Sequence, residues 1–413
     1  MRLDHAMPDG EARFRLGINY WPSRTAMGWW RDFDEAETGD DLAKIAGSGF
    51  DSVRLFMTWE DFQPTPDAVE TGMLDRLITV ADKAQMAGLE IMPTLFTGHM
   101  SGVNLIPGWA LGGSDRDGRF RVVSGGRLSE VGLRNWYSDP EVASAQARLA
   151  GEAATALAGH EAIWAWDLGN ENSNCVLPPN RQSARDWLKR ITGAIRTADP
   201  KVLVSIGLHM EDLEEDRLLG PREAARECDF LTMHGYPIYA PWAEGPTDEH
   251  VLPFLAALTS WLGRDADVLF SEFGMPTYDE SDPSSERIRR ESSVVMVEEQ
   301  AAAAYTERAL NALHAAGCMG AMLWCYTDYA ASTWNEPPLD AAVHERSFGL
   351  WRSDRSAKPA VAAVAAFDGV TRVAAPNDRE WLDLGPAEFY ATPGLHVPRL
   401  YRRYRQRAAA TSP

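Results

Sequence analysis

Apolar and β-branched residues gather in short runs along this chain, and longer stretches with helical spacing separate them. Eight runs stand out, at 14–20, 52–58, 89–96, 162–168, 202–206, 229–233, 268–272 and 319–324. Between them, apolar positions recur three and four residues apart, as at Met73, Leu74, Leu77, Val80, Ala81 and Ala84, or at Trp187, Ile191 and Ile195. That spacing places them on one helical face, so each run reads as a strand followed by a covering helix. Gly49, Gly88, Gly159 and Gly317 each fall after a helical pattern and before a strand, where a left-handed C-terminal cap belongs.

Eight βα units predict an α/β protein with a closed (β/α)8 barrel, a TIM barrel. A doubly wound sheet typically has fewer strands and a glycine-rich phosphate loop after the first. The chain contains no G-x-G-x-x-G, and also no G-x-x-x-x-G-K-[ST], G-x-S-x-G or H-E-x-x-H. Dinucleotide, P-loop, serine-elbow and zincin chemistries therefore lose their usual support. The expected division is one catalytic barrel over 1–367 and a short C-terminal extension, 368–413, packed on it. That last stretch is rich in proline and polar residues and has too little apolar content for a second domain. Long connections at 97–137, 275–294 and 327–348 follow strands three, seven and eight. In a barrel they rise from the C-terminal face, where active sites are built, and predict a walled cleft.

Composition narrows the picture further. With 413 residues, 45% hydrophobic and 24% charged, the chain has enough apolar content for one large core. No run approaches the roughly 20 apolar residues of a membrane span, and residues 1–10 lack an apolar signal core, so a cytoplasmic protein without membrane contact is expected. A formal charge of −20 opposes nucleic-acid binding, which needs a basic face. The one basic cluster, between Arg399 and Arg407, reads as a terminal helix pairing with the acidic body. Cys175, Cys228, Cys318 and Cys325 show no C-x-x-C spacing and read as reduced thiols.

The strand ends carry the chemistry. Asn170-Glu171 closes the fourth run and Ser271-Glu272-Phe273-Gly274 closes the seventh; burying a carboxylate at a strand end is costly unless it has a task. Arg54 lies near the end of strand two, His99 beyond strand three, His234-Gly235-Tyr236 after strand six and Trp324 at the end of strand eight. Two carboxyls from opposite sides of a barrel mouth suit glycosidic cleavage, one protonating the leaving oxygen and the other attacking the anomeric carbon. Of fifteen tryptophans, Trp164, Trp187 and Trp261 sit in apolar or helical runs and read as core. Trp21, Trp59, Trp242, Trp324 and Trp334 follow strand ends, where an indole suits stacking on a pyranose. A metal-dependent hydrolase built on His99, His209 and His234 lacks paired histidine spacing, and a catalytically silent sugar binder leaves both filled carboxyl positions unexplained.

On these residues the chain resembles the clan A glycoside hydrolases, most closely the cellulase-like family 5, across about 14–367. The resemblance implies Glu171 as acid/base and Glu272 as nucleophile of a retaining β-glycosidase, with no cofactor and no metal. It also implies substrate-binding roles for Arg54, His99, Asn170, His234, Tyr236 and Trp324, with Arg54 also holding the nucleophile; Trp59 joins the expected substrate-binding residues on its place after a strand end alone. His99 fits more loosely because it lies several residues into a loop. The implied partner is an oligosaccharide or small glycoside. The terminal Pro398-Arg399-Leu400-Tyr401 stretch is similar to tails among β-mannosidases and mannanase-like members, which places a β-mannoside first and β-glucoside or β-galactoside behind it.

Overall fold

The computed structural model describes residues 12–113 and 119–411; the segment 1–10, read above for a leader, lies outside them. Eight parallel strands form one sheet: β1 (Arg15–Tyr20), β2 (Ser52–Thr58), β3 (Glu90–Thr97), β4 (Ala165–Asn170), β5 (Leu203–Gly207), β6 (Leu231–His234), β7 (Val268–Phe273) and β8 (Gly320–Leu323). Their order, β5-β4-β3-β2-β1-β8-β7-β6, is that of a (β/α)8 barrel. Each lies within three residues of its predicted run. Gly49, Gly88, Gly159 and Gly317 all have positive φ, and at Gly88 (φ 76°) the cap N–H returns to the last turn of the preceding helix.

The ring closes differently at one seam. Between β5 and β6 the backbone ladder gives way to an isolated bridge, His209 to His234, with the Asp229 and His234 amides reaching the Val204 and Leu208 carbonyls. Hydroxyl side chains supply further links, from Ser205 Oγ to the Phe230 carbonyl at 2.9 Å and from Thr232 Oγ1 to the Ile206 carbonyl at 2.5 Å.

Helices α1 (Glu35–Gly47), α2 (Thr71–Ala87), α3 (Pro140–Ala156), α4 (Arg181–Ala198), α6 (Val251–Leu262), α7 (Glu299–Ala315) and α8 (Pro359–Ala365) surround the sheet, whereas α5 (Pro221–Ala224) is a single turn. Beside that short element packs α9 (Pro386–Ala391), and α10 (Pro393–Thr411) packs on the turn Glu211–Glu214 and on α6. The Tyr390 ring lies under the Arg181 and Arg222 guanidiniums at 4.8 and 4.9 Å, and Tyr401 meets Phe254 edge to face at 5.2 Å. The basic cluster pairs with acidic neighbours, Arg399 with Asp383, Arg405 with Glu244 and Asp248, and Arg407 with Asp378. Exposed pairs of this kind contribute at most about 1 kcal/mol each; the fully buried Val397, Leu400 and Tyr401 anchor the segment.

The barrel interior is layered. At its base Met92, Trp164, Phe230, Leu269 and Met322 form a separate apolar cluster, with Trp164 stacked on Phe230 at 5.4 Å and covered by Arg15 at 4.2 Å. Nearer the mouth the interior turns polar. The long connection after β3 is itself folded, into a four-stranded sheet (His99–Met100, Val103–Leu105, Arg121–Ser124, Arg127–Ser129) and a two-stranded one. Among the described residues no helix is long and apolar enough to cross a membrane.

Candidate active site

A cavity of about 400 Å³ opens at the C-terminal mouth, and Asn170, Glu171, His234, Tyr236, Glu272 and Trp324 line it together with His99. Backbone irregularity aims both carboxyls inward. The β4 register shifts between Asp167 and Asn170, and Glu171 sits in the left-handed region at φ 49°, a placement costing about 1–3 kcal/mol that its surroundings must hold. Its amide is fixed by the Gly207 carbonyl at 3.0 Å. On the other side β7 shifts register between Phe270 and Phe273. One oxygen of each carboxyl and a His234 ring nitrogen lie within 4.8 Å of one another.

Beneath Glu272 lies Arg54, fully buried. Its Nε and Nη2 donate to Asp167 Oδ2 at 2.9 and 2.7 Å, Nη2 also to Asn170 Oδ1 at 2.8 Å, and Nη1 to Asn19 Oδ1 at 3.1 Å and Glu272 Oε1 at 2.5 Å. These are five hydrogen bonds, to four acceptor oxygens, for five N–H groups. The other oxygen of Glu272 accepts from the Tyr236 hydroxyl at 2.8 Å. Burial pushes the Glu272 carboxyl up, while His234, Arg54 and Tyr236 oppose it.

Glu171 has a different company. Its Oε1 faces His234 Nδ1 at 2.9 Å, and its Oε2 accepts from Asn174 Nδ2 at 3.0 Å. Oε2 is flanked by His99 Nε2 at 3.8 Å and His209 Nδ1 at 4.0 Å. Hydrogen bonds assign both tautomers. Asn104 donates its amide to the Asn174 carbonyl and turns its oxygen to His99 Nδ1 at 2.8 Å, so His99 carries its proton there and Nε2 is a lone pair. Ser173 donates to Asp212 and thus accepts from His209 Nε2 at 2.9 Å, which leaves His209 Nδ1 as a lone pair too. Burial lowers all three imidazoles, His234 to about 4, and keeps them neutral at neutral pH. Burial also raises Glu171, with His99 opposing and Glu211 adding to the rise.

The cluster of Glu171, His234 and Glu272 has the ligand spacing of a cation site, but its chemistry does not fit one. The Arg54 guanidinium already supplies the positive charge at Glu272, 2.5 Å away, and would repel a cation.

Two sequence expectations are corrected. Arg54 does not reach the cavity: all its donors are spent on protein groups, so it acts on Glu272 and not on a ligand. Trp59 is buried away from the cavity among Phe96, Trp109 and Trp136, its N–H on Gln63. Trp21 stacks on Phe56 at 5.3 Å, Trp242 bonds Glu214, and Trp334 lies under Arg346; none of the three lines the cavity. His99 opens the short strand just past β3 and is buried, better placed than its loop position implied. Sequence reasoning missed Glu211, Glu214, Tyr239, His344 and Glu345 on the cavity wall, and met His209 only as a metal ligand. The signal for His209 and Glu211 was their place directly after a strand end.

Comparison with known proteins bears on the family and the fold. The profile described as Cellulase (glycosyl hydrolase family 5) matches residues 16–326. A curated relative, mannan endo-1,4-beta-mannosidase 5 of Arabidopsis thaliana, is 25% identical over 150 residues, 30% of this chain and 33% of the plant enzyme, so the match spans a third of that protein. Among solved structures, a GH5_18 variant from Streptomyces cattleya in complex with Manb1-4GlcNAc shares the fold at TM-score 0.77 and 24% identity, over 96% of this chain and 92% of that one. Exo-beta-1,4-mannosidase Op5Man5 from Opitutaceae bacterium strain TAV5 aligns at TM-score 0.69 and 27% identity, over 88% of this chain and 60% of that one. With three quarters of its length matched and two carboxyls converging at its barrel mouth, the chain is a glycosidase that belongs to glycosyl hydrolase family 5.

Proposed function

We propose that the chain is a retaining, exo-acting β-mannosidase that releases a terminal mannose from short β-1,4-linked substrates of the Manβ1-4GlcNAc kind. The observation that carries the retaining reading is the close approach of the two carboxyl oxygens, within 4.8 Å. Retaining enzymes place their carboxyl groups about 5–5.5 Å apart, inverting ones at least about 6.5 Å. Glu272, held against Arg54, is ionised and attacks the anomeric carbon as the glycosidic bond breaks. The proton on Glu171 Oε2, which faces two imidazole lone pairs, passes to the leaving oxygen. In the second half, ionised Glu171 takes a proton from a water whose oxygen attacks the same carbon, and the bond to Glu272 breaks, restoring both carboxyls.

Mannose as the glycone is supported by the company the fold keeps, a GH5_18 enzyme bound to Manb1-4GlcNAc and an exo-beta-1,4-mannosidase. Exo action is supported by the loops after β3 and β8, which join over one side of the mouth: Ser101 donates to Glu345 at 3.0 Å, and Arg121 forks onto Asp340 at 2.8 and 2.6 Å. The test is a hydrolysis screen of aryl β-D-mannoside, glucoside and galactoside, Manβ1-4GlcNAc and mannohexaose, with the anomer of the first product read by NMR. Expected are preference for the mannoside, release of mannose alone and a β-configured first product. A first product of α configuration sinks the retaining reading, and internal cleavage of mannohexaose sinks the exo reading.

A further inference from the structure

A carboxyl that the mechanism above does not use lies in the cavity wall. Glu345 is buried, 8% exposed, yet lines the cavity beside Trp324. Its Oε2 accepts from Ser101 Oγ at 3.0 Å and from the Trp324 indole N–H at 3.3 Å. Its Oε1 has the His344 ring at 3.5 Å, and the Tyr239 hydroxyl also bonds this carboxyl. Among the described residues no arginine or lysine lies within ion-pair distance of it. A buried carboxyl without a cation is costly unless hydroxyl or amide donors complete its hydrogen bonds. Here three protein donors, Ser101, Trp324 and Tyr239, serve a carboxylate that offers about four acceptor sites, and one is left for the cavity that Glu345 lines.

Three further facts bear on what completes it. The indole it orients is the one tryptophan among the cavity residues, the flat face on which a pyranose can rest. The loop that carries it also carries His344, whose Nε2 meets the Tyr239 hydroxyl at 2.8 Å, linking the β8 and β6 loops at the rim. Ser101 ties the same carboxyl to the β3 loop. Glu345 therefore stands where three loops converge, with one acceptor unfilled. The ligand that fits is a vicinal or single sugar hydroxyl, which donates to a carboxylate more strongly than to a neutral acceptor.

We propose that Glu345 is a specificity-determining residue: its Oε1 accepts a hydroxyl on the non-anomeric edge of the terminal sugar while its Oε2 fixes the Trp324 platform and the loops that end the cavity. This rests on the exo-glycosidase reading above. One carboxyl thus couples recognition of a chain end to closure of the pocket around it.

The test is a cycle of kcat/KM values for wild type and Glu345→Gln on 4-nitrophenyl β-D-mannoside and its 3-, 4- and 6-deoxy derivatives. In wild type one of the three deletions is expected to cost about 10- to 100-fold. In Glu345→Gln, already weakened by a similar factor on the full sugar, the same deletion should cost less than about threefold, because the partner is gone. A purely structural role lowers all substrates alike and keeps the deoxy penalties unchanged, which overturns the proposal; so does the absence of any deoxy penalty in wild type. If Glu345→Gln does not fold, Glu345→Asp, which keeps the charge on a shorter arm, carries the same cycle. Wild-type turnover of another aryl hexoside in place of the mannoside overturns the sugar assignment but leaves the cycle to be run on that hexoside's deoxy series. No turnover of any hexoside overturns both.

Discussion

The two carboxyls at the barrel mouth are buried alike but held by different chemistry. Glu272 meets a guanidinium and a phenol, a charged donor and a neutral one. Glu171 meets the His234 ring, an amide and, at 3.8 and 4.0 Å, two further imidazoles. Burial alone raises both, so it cannot tell them apart. What separates them is the partner set: a fixed cation in contact with Glu272 favours its ionised form, and among the described residues Glu171 has no arginine or lysine in contact. Roles that look symmetric in sequence are thus unsymmetric in the electrostatics one layer below.

Removing either carboxyl probes that contrast most severely. Glu272→Ala is expected to lower kcat on an aryl mannoside by several orders of magnitude, with azide restoring cleavage and yielding the α-mannosyl azide. Glu171→Ala should lose about 10²–10⁴-fold on Manβ1-4GlcNAc but far less on a nitrophenyl glycoside, whose leaving group needs little protonation, and azide should yield the β-anomer. NMR of the azide products checks both, and exchanged anomers would reverse the assignment.

Arg54→Lys comes next. An ammonium has three donors where five are used and no fork for Asp167. Breaking a buried pair of this kind costs about 3–5 kcal/mol, so thermal unfolding should shift down by several degrees and activity should fall with it. An unchanged melting temperature would show that the guanidinium is not the anchor of this layer. Tyr236→Phe is milder, about 10-fold in kcat/KM. The Tyr236 hydroxyl lowers the Glu272 carboxyl, so losing it raises that group and moves the acidic limb of the pH profile upward; a fixed acidic limb would place Tyr236 outside the titration.

The smallest effects are the sharpest. Glu211 raises Glu171 and Asn174 lowers it. Glu211→Gln removes a negative charge and should draw the alkaline limb of kcat/KM down in pH, whereas Asn174→Ala removes a donor to the ionised form and should push it up. Limbs that move together would detach the alkaline limb from Glu171.

Much of this was legible in the chain. The apolar runs located all eight strands because strands buried inside a barrel have no solvent face to dilute the signal, and the Asn-Glu and Ser-Glu-Phe-Gly endings marked the two carboxyls. The tryptophans were less legible: Trp59 and Trp324 both follow strand ends, yet one turns into the core and the other into the cavity, a choice made by the loops above them. Arg54 was found as a partner of Glu272, but its second anchor was overlooked, although Asp167 is an acid inside the apolar run Ala165-Trp166-Asp167-Leu168. Glu345 has no such flag, since its loop is polar throughout and only packing against Ser101 and Trp324 gives it meaning.

The seam between β5 and β6 has a bearing on motion. Where hydroxyl side chains replace ladder bonds, fewer backbone bonds must break for the strands to part, so amide hydrogen exchange along the strands is expected to be fastest on the line between His209 and His234. Those two rings lie on either side of the Glu171 carboxyl, and widening of the seam draws them apart. Glu171 thus lies against the seam where the backbone ladder is interrupted, while Glu272 sits on β7, which is laddered to both β6 and β8.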